Sequence, residues 1–138
     1  MVVVQRTTKN KRLFYNQVRQ ILEELPHPFY SYNARFERKI MHTELKMDLN
    51  EDDFVDIMEP WKARAEAARR KWPRLDELIS EPEDYFHHGK VSGRDVPRLW
   101  QSYKRTGYTA PLRVIMEHCL SDVLRESLLV LRYESLQF

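Results

Sequence analysis

The chain has 138 residues, 42% of them apolar and 32% charged, and its 23 Lys and Arg against 21 Asp and Glu give a net charge of +2. These values predict one soluble globular domain over residues 1–138, and a net charge this small does not indicate nucleic acid by itself. The single cysteine, Cys119, excludes a disulfide framework. No apolar stretch approaches the ~20 residues that span a bilayer. The apolar run at the start precedes the first basic residue, which is the reverse of a secretory signal.

Apolar spacing predicts a three-helix unit over residues 10–72, after a short tail at residues 1–9. The first helix runs from about Asn10 to Leu25, because its apolar residues follow one stripe of a 3.6-residue period and Pro26 ends the pattern. The second helix begins between Pro28 and Asn33. Its inner stripe is predicted to contain Tyr32, Phe36, Ile40 and Met47.

The third helix has the clearest periodicity and is predicted to run from Asn50, as N-cap, to Trp72. Pro60 lies within this pattern and predicts a kink or a broken first turn. The inner stripe is predicted to contain Phe54, Ile57, Met58, Trp61, Ala65, Ala68 and Trp72.

Residues 73–108 lose this periodicity and contain all three glycines. We predict an extended irregular connection here, with helical turns around Leu75–Ile79 and Pro97–Tyr103. A fourth, long apolar helix is predicted over residues 109–138, with Thr109 as N-cap. Its apolar residues spread over roughly 220° of the helical wheel, so this helix is expected to need cover on two sides.

The predicted fold is therefore all-α: a three-helix antiparallel bundle, an extended connection and a fourth helix. The alternative is a helical DNA- or RNA-binding domain with the same helices in another arrangement. A short strand at residues 2–5 is a weaker prediction.

The sequence contains no pattern that indicates catalysis, a metal or a cofactor. The five histidines lack the paired spacing of zinc ligands. His118 lies about 100° around the last helix from Cys119, so the two do not face each other as base and nucleophile. Cys119 falls on the apolar arc, which predicts a buried thiol with a raised pKa. We expect that the chain is not an enzyme, holds no metal and needs no cofactor.

Two stretches combine basic and aromatic residues, a mixture that suits RNA. Lys62, Arg69, Arg70, Lys71 and Arg74 lie near Trp72. Lys90, Arg94, Arg98, Lys104 and Arg105 are interleaved with Trp100 and Tyr103. Against this interpretation, Trp61 and Trp72 belong to the predicted inner stripe of the third helix. An RNA-binding component of a ribonucleoprotein, such as a mitochondrial ribosome, is therefore the alternative function.

The stretch Leu13-Phe14-Tyr15-Asn16-Gln17-Val18-Arg19 resembles the LYR-motif proteins of mitochondria. Leu13 and Tyr15 stand for the Leu and Tyr of that motif, with Phe14 between them, and Arg19 follows one helical turn later. The resemblance covers residues 10–72. It implies a small helical accessory subunit or assembly factor of a respiratory complex, located in the mitochondrion, with an acyl carrier protein among its partners.

The leading expectation is thus a non-catalytic protein that acts by binding other subunits of a large assembly. Lys11 and Arg12 oppose the dipole of the first helix, and Arg19 lies two turns after Arg12, so these cations are expected to face an acidic partner. The predicted partner-binding residues are Lys11, Arg12, Tyr15, Arg19, Trp100 and Tyr103.

Overall fold

The computed structural model describes residues 10–80, 82 and 91–135, with side chains as far as Arg132. The chain forms two compact units, unit 1 (Met1–Trp72) and unit 2 (Pro73–Phe138), which are described separately. The tail at residues 1–9, the strand predicted at residues 2–5, and His87 and His88 all lie outside the described residues. No helix in the described ranges is long and apolar enough to cross a membrane.

Unit 1 alternates helices with two very short strands. Its elements are α1 (Lys11–Glu24), β1 (Phe29–Ser31), α2 (Ala34–Leu45), a 3-10 turn (Glu51–Asp53), β2 (Phe54–Asp56) and α3 (Glu59–Ala67). The bounds of α1 confirm the predicted first helix, and α2 confirms the second in outline. The strands pair in parallel, so β1, α2 and β2 form a βαβ unit.

The two strands are the main departure from the predicted bundle. Phe29 pairs with Phe54, Tyr30 with Val55 and Ser31 with Asp56, and aromatic and β-branched side chains favour this extended backbone. The predicted long third helix is therefore wrong. Its periodic residues are divided among β2, the turn before α3, the nine-residue α3 and the segment after it. Pro60 lies in the first turn of α3, where a missing N–H costs little.

The predicted N-cap at Asn50 is present, but it begins an element shorter than the predicted helix. The Asn50 side chain accepts a hydrogen bond from the N–H of Asp52 (2.8 Å), and the Asp53 carboxylate accepts one from the N–H of Asn50 (2.9 Å). This capping box starts the 3-10 turn, after which the chain enters β2. A cap therefore predicts where a helical turn begins, while tertiary pairing decides how far it continues.

Unit 2 contains the described helices α4 (Leu75–Leu78), α5 (Val96–Thr106) and α6 (Ala110–Ser135). The helical turns predicted in the connection are confirmed, although α5 is an 11-residue helix. Gly107 ends α5 at φ 72°, a left-handed conformation that glycine adopts without steric cost. The last helix begins where the sequence predicts, after Thr109.

Burial corrects two of the predicted apolar faces. Phe36 and Ile40 of α2 are exposed, and so is Trp72. The 26-residue α6 exposes Val123 and Leu124, so the predicted long apolar helix is not found. The buried apolar residues are Ala34, Met47, Ile57 and Met58 in unit 1, and Ile79, Pro82, Leu112 and Leu129 in unit 2. A mostly helical fold is confirmed, but the antiparallel bundle is not.

Helix α3 ends in a Schellman motif built without glycine. The N–H of Arg70 donates to the carbonyl of Ala65 (2.8 Å), and the N–H of Arg69 donates to the carbonyl of Glu66 (3.0 Å). Arg69 has φ 51°, the left-handed conformation that disfavours a side chain with a Cβ. An exposed arginine therefore occupies a position at which glycine would be less strained.

Replacing Arg69 with glycine should stabilise unit 1. Relief of the left-handed strain outweighs the greater chain entropy of unfolded glycine, for a net gain of about 0.5–1 kcal/mol in the free energy of unfolding. Urea unfolding followed by circular dichroism measures this change. Arg69→Ala is the matched control, because it removes the same charge and keeps the strain. Equal stability of the two variants would contradict the assignment of strain to this residue.

Candidate functional site

Four of the predicted partner-binding residues line one groove between α1 and α2. The Nζ of Lys11 lies 3.7 Å from the Oε2 of Glu44 and 5.0 Å from the centre of the Tyr15 ring. The Tyr15 hydroxyl donates to the same Glu44 oxygen (3.2 Å). Together Tyr15 and Glu44 raise the pKa of Lys11. The groove has a volume of about 400 Å³ and is lined by Lys11, Arg12, Tyr15, Asn16, Arg19, Glu44, Leu45 and Lys46.

The other two predicted residues, Trp100 and Tyr103, belong to α5 in unit 2. Their ring centres are 5.4 Å apart, and the Nζ of Lys104 lies 5.9 Å from the centre of the Trp100 ring. Both aromatic residues are half-buried. The six residues therefore fall into two separate groups, and their role in partner binding stays a prediction.

In unit 1, two carboxylates near the βαβ unit differ in environment. Asp56 accepts hydrogen bonds from the backbone N–H groups of Asn33 (3.1 Å), Ala34 (3.0 Å) and Met58 (2.9 Å). Glu37 is half-buried and its Oε2 has no partner among the described residues. Burial raises the pKa of Glu37, to which the Asp56 charge adds, while a hydrogen bond with Ser31 opposes the shift. Asp56 serves as a structural cap, and Glu37 is a weaker acid than an exposed glutamate.

In unit 2, a histidine, a carboxylate and an arginine form a chain of contacts along α6. The Nε2 of His118 lies 3.4 Å from the Oδ2 of Asp122, one helical turn away. The other carboxylate oxygen of Asp122 accepts a hydrogen bond from the Nη1 of Arg125 (3.2 Å). The His118 side chain is 13% exposed, and that of Arg125 only 6%, so the pair is held against a buried cation.

Arg125 itself is fixed from two sides. Its Nε donates to the carbonyl of Ile79 (3.0 Å), and its Nη1 also donates to the hydroxyl of Ser121 (3.1 Å). Ser121 is fully buried. Asp122 is thereby oriented between Arg125 and His118. A carboxylate next to one imidazole nitrogen selects the ring tautomer and leaves the other nitrogen to accept a proton. This arrangement is suited to general base chemistry.

The spacing of histidines and of Cys119 does not reveal the His118 cluster, because the partner of this histidine is a carboxylate. The available signal was His118 and Asp122 at i, i+4, followed by Arg125 three residues later. Cys119 is exposed, so the predicted buried thiol is wrong. The predicted direction of its pKa is right, since partial burial and then the charge of Asp122 raise it.

A family model described as the RNase_H superfamily matches residues 2–132. The chain belongs to the RNase_H superfamily. The match includes both units and ends beyond the His118 cluster. No curated protein and no solved structure matches the chain.

Membership of the RNase_H superfamily corrects the predicted resemblance. The chain is not an LYR-motif protein, because the family match accounts for nearly the whole sequence and not only for residues 10–72. The stretch in α1 is interrupted by Phe14, and Asn16 rather than an arginine follows Tyr15. The respiratory-complex and mitochondrial assignments came from that resemblance and have no support in the match. The expectation of a non-enzyme is likewise unsupported for a member of this superfamily.

Nucleases often act through a pair of metal ions held by carboxylates. Among the residues that the structure describes, no three His, Cys, Asp or Glu side chains are grouped to hold a metal ion. Three ligands or more are usual for such ions. The described residues of this RNase_H superfamily member therefore do not by themselves form a metal centre.

Removing the Arg125 guanidinium should be strongly destabilising. Arg125→Met leaves the Ile79 carbonyl without its buried donor and the partly exposed Asp122 carboxylate without its cation. A buried group left without its hydrogen-bond partner typically costs about 1–3 kcal/mol. The matched control is Arg113→Met on the same helix, where the side chain is 81% exposed and pairs with Glu117. This control should change the free energy of unfolding by no more than about 0.5 kcal/mol. Similar chemical denaturation midpoints for the two variants would show that the buried contacts contribute little.

Glu37→Gln should stabilise the protein at neutral pH and have no effect in acid. A raised pKa means that the folded state favours protonated Glu37, so its contribution is full below the unfolded pKa and is lost as the pH rises through the folded pKa. Glutamine resembles the protonated form at every pH. Thermal melts of both proteins across an acid-to-neutral series measure the difference. A difference that grows toward acid would contradict the raised pKa.

Proposed function

We propose that the protein is a nuclease that hydrolyses phosphodiester bonds, with the His118–Asp122 pair as its proton-transfer group. Support comes from membership of a superfamily named after ribonuclease H, together with the geometry of this pair. The observation that carries the proposal is a histidine held one turn from a carboxylate that is itself bonded to a buried arginine. These contacts fix the side chains more firmly than the contacts of a solvent-exposed surface ion pair do.

In the proposed reaction, His118 acts as general base. Its Nε2 is next to Asp122, so this nitrogen carries the hydrogen and Nδ1 is the basic atom. Nδ1 takes a proton from water as the water oxygen bonds to phosphorus, and the bond from phosphorus to the leaving ribose or deoxyribose oxygen breaks. The leaving oxygen takes up a proton from solvent, and the carboxylate stabilises the imidazolium, which then returns its proton to solvent.

A second candidate function is the binding of other subunits without catalysis. The observation that favours it is the set of large apolar residues that α6 exposes: Val123 at 58%, Leu124 at 45% and Leu131 at 63%. Leu124 and Leu131 are two helical turns apart, so they lie on one face. Light scattering of the unmodified protein and of Leu124→Lys tests this function. If another subunit covers this face, the variant should lose its association with itself or with that partner.

His118→Asn should abolish cleavage while the protein stays folded. Loss of a general base typically lowers a rate by about 10²–10⁴-fold. The assay follows labelled RNA, an RNA–DNA hybrid and single-stranded DNA on a denaturing gel, in buffer with Mg²⁺ because many nucleases require it. Asp122→Asn should lower the rate too, because it removes the charge that orients the ring and stabilises the imidazolium.

The matched control is His27→Asn, because His27 forms a similar pair, with its Nδ1 2.9 Å from the Oδ1 of Asp53, in unit 1. This variant should cleave at the rate of the unmodified protein. Cleavage that survives His118→Asn would overturn the assignment of the base. An absence of cleavage by the unmodified protein on all three substrates would overturn the nuclease proposal itself.

A further inference from the structure

Trp72, at the end of unit 1, is a large aromatic side chain that the fold leaves half exposed, at 51%. The Nζ of Lys62 lies 4.8 Å from the centre of its ring and covers one face. The indole N–H donates to the Oε1 of Glu66 (3.1 Å) and fixes the ring from its edge. Although Lys62 lies over one face, half of the residue is still accessible, so the indole has surface left for a ligand.

Three consecutive cations precede this indole. Arg69, Arg70 and Lys71 are all exposed, and none of them forms an ion pair with a carboxylate in the part of the chain that the structure describes. By contrast, Arg19 is paired with Glu23 (2.7 Å) and Lys62 with Glu59 (2.9 Å). The cations next to Trp72 are therefore available to an anionic ligand.

We propose that this surface, made of Arg69, Arg70, Lys71 and Trp72, binds single-stranded nucleic acid. A base stacks on the accessible surface of Trp72, and the backbone phosphates contact the adjacent cations. Stacking on an aromatic face tolerates any base, and a track of Lys and Arg follows the phosphates, which is how proteins bind single strands without sequence preference. The sequence objection, that Trp72 lies in the core, is removed by its exposure.

Two simpler explanations account for only part of this surface. Cations after a helix C-terminus offset the helix dipole, but that effect is confined to the last turn and needs no aromatic residue. An acidic protein could pair with the cations, but it would gain nothing specific from a ring held edge-on by Glu66 and covered by Lys62. An unpaired cation run beside a fixed, half-exposed indole fits a base and its phosphates.

The inference concerns binding and goes beyond the proposed function, which assigns proton transfer to His118 in unit 2. It shares with that proposal only the class of ligand. The two fail separately, because binding can be measured in a His118→Asn protein that does not cleave. This background also keeps the oligonucleotide intact during the measurement.

The experiment measures the fluorescence anisotropy of labelled 12-nucleotide single strands of RNA and DNA, with a duplex for comparison, on the His118→Asn protein. Trp72→Ala should weaken single-strand binding about 5- to 150-fold, the range that corresponds to one stacked base, and Trp72→Phe should restore much of it. Arg70→Glu with Lys71→Glu should weaken binding and lower the slope of log affinity against log salt by about 1.4, since each phosphate contact on a single strand contributes about 0.7.

Two control variants make the same kinds of substitution outside this surface. Tyr108→Ala removes an aromatic residue that is 74% exposed in unit 2, and Arg35→Glu with Lys39→Glu reverses two exposed charges on α2. Both should leave the affinity within about twofold of the parent. Circular dichroism melts of all variants establish that they are folded. If Trp72→Ala does not fold, Trp72→Phe and the double variant Arg70→Glu with Lys71→Glu, at two exposed positions, still test binding by this surface.

Several outcomes would overturn the inference. One is binding that is unchanged by Trp72→Ala, and another is an equal loss from the α2 charge reversal, which would show a response to net charge alone. A third is competition by polyglutamate as effective as that by unlabelled oligonucleotide, with no effect of Trp72→Ala, which would indicate an acidic protein as the partner. Preference for the duplex over the single strand would also contradict stacking on Trp72.

Discussion

The carboxylate of Asp56 holds unit 1 together at the point where its elements meet. It accepts the N–H groups of Asn33 and Ala34, which begin α2, and that of Met58, which precedes α3. Ser31 pairs opposite Asp56 in the parallel ladder, and the N–H of Ile57 donates to the Ser31 carbonyl (3.0 Å). One side chain therefore satisfies backbone donors of both neighbouring helices, which would otherwise be exposed or unpaired at a buried junction.

Unit 2 depends on a buried cation in a comparable way. Arg125 joins α6 to the segment after α4 through the Ile79 carbonyl, and it also holds Asp122 and Ser121. Burying a guanidinium is costly unless its donors are satisfied, and the resulting network is rigid because few other rotamers keep all of these bonds. His118 lies beside this network, with its Nε2 3.4 Å from the Asp122 carboxylate.

Local signals in the sequence were sufficient for helices that are bounded by caps and prolines. Helix α1 ends before Pro26, and α6 begins after Thr109, because these ends are set by residues next to one another. The strands could not be predicted in this way, since β1 and β2 are three residues each and are extended only because they pair with each other. The same apolar spacing at Phe54, Ile57 and Trp61 fits a helix and a strand followed by a helix. The predicted groove residues of α1 are neighbours on one helix face. His118, Asp122 and Arg125 are also close in sequence, but the bond that fixes the buried Arg125 is to Ile79, 46 positions away.

The parallel pairing of β1 with β2 also affects how unit 1 can fold. Phe29 and Phe54 become neighbours only after the intervening chain, with all of α2, has closed into a loop, and closing such a loop costs entropy before any ladder bond forms. The helices α1 and α6 need only contacts between residues a few positions apart and can form within about a microsecond. The order of events follows from this difference: helical segments come first, and the ladder, with the three bonds to Asp56, is completed late. Backbone amides of β2 should accordingly report the final, cooperative step in the folding of unit 1.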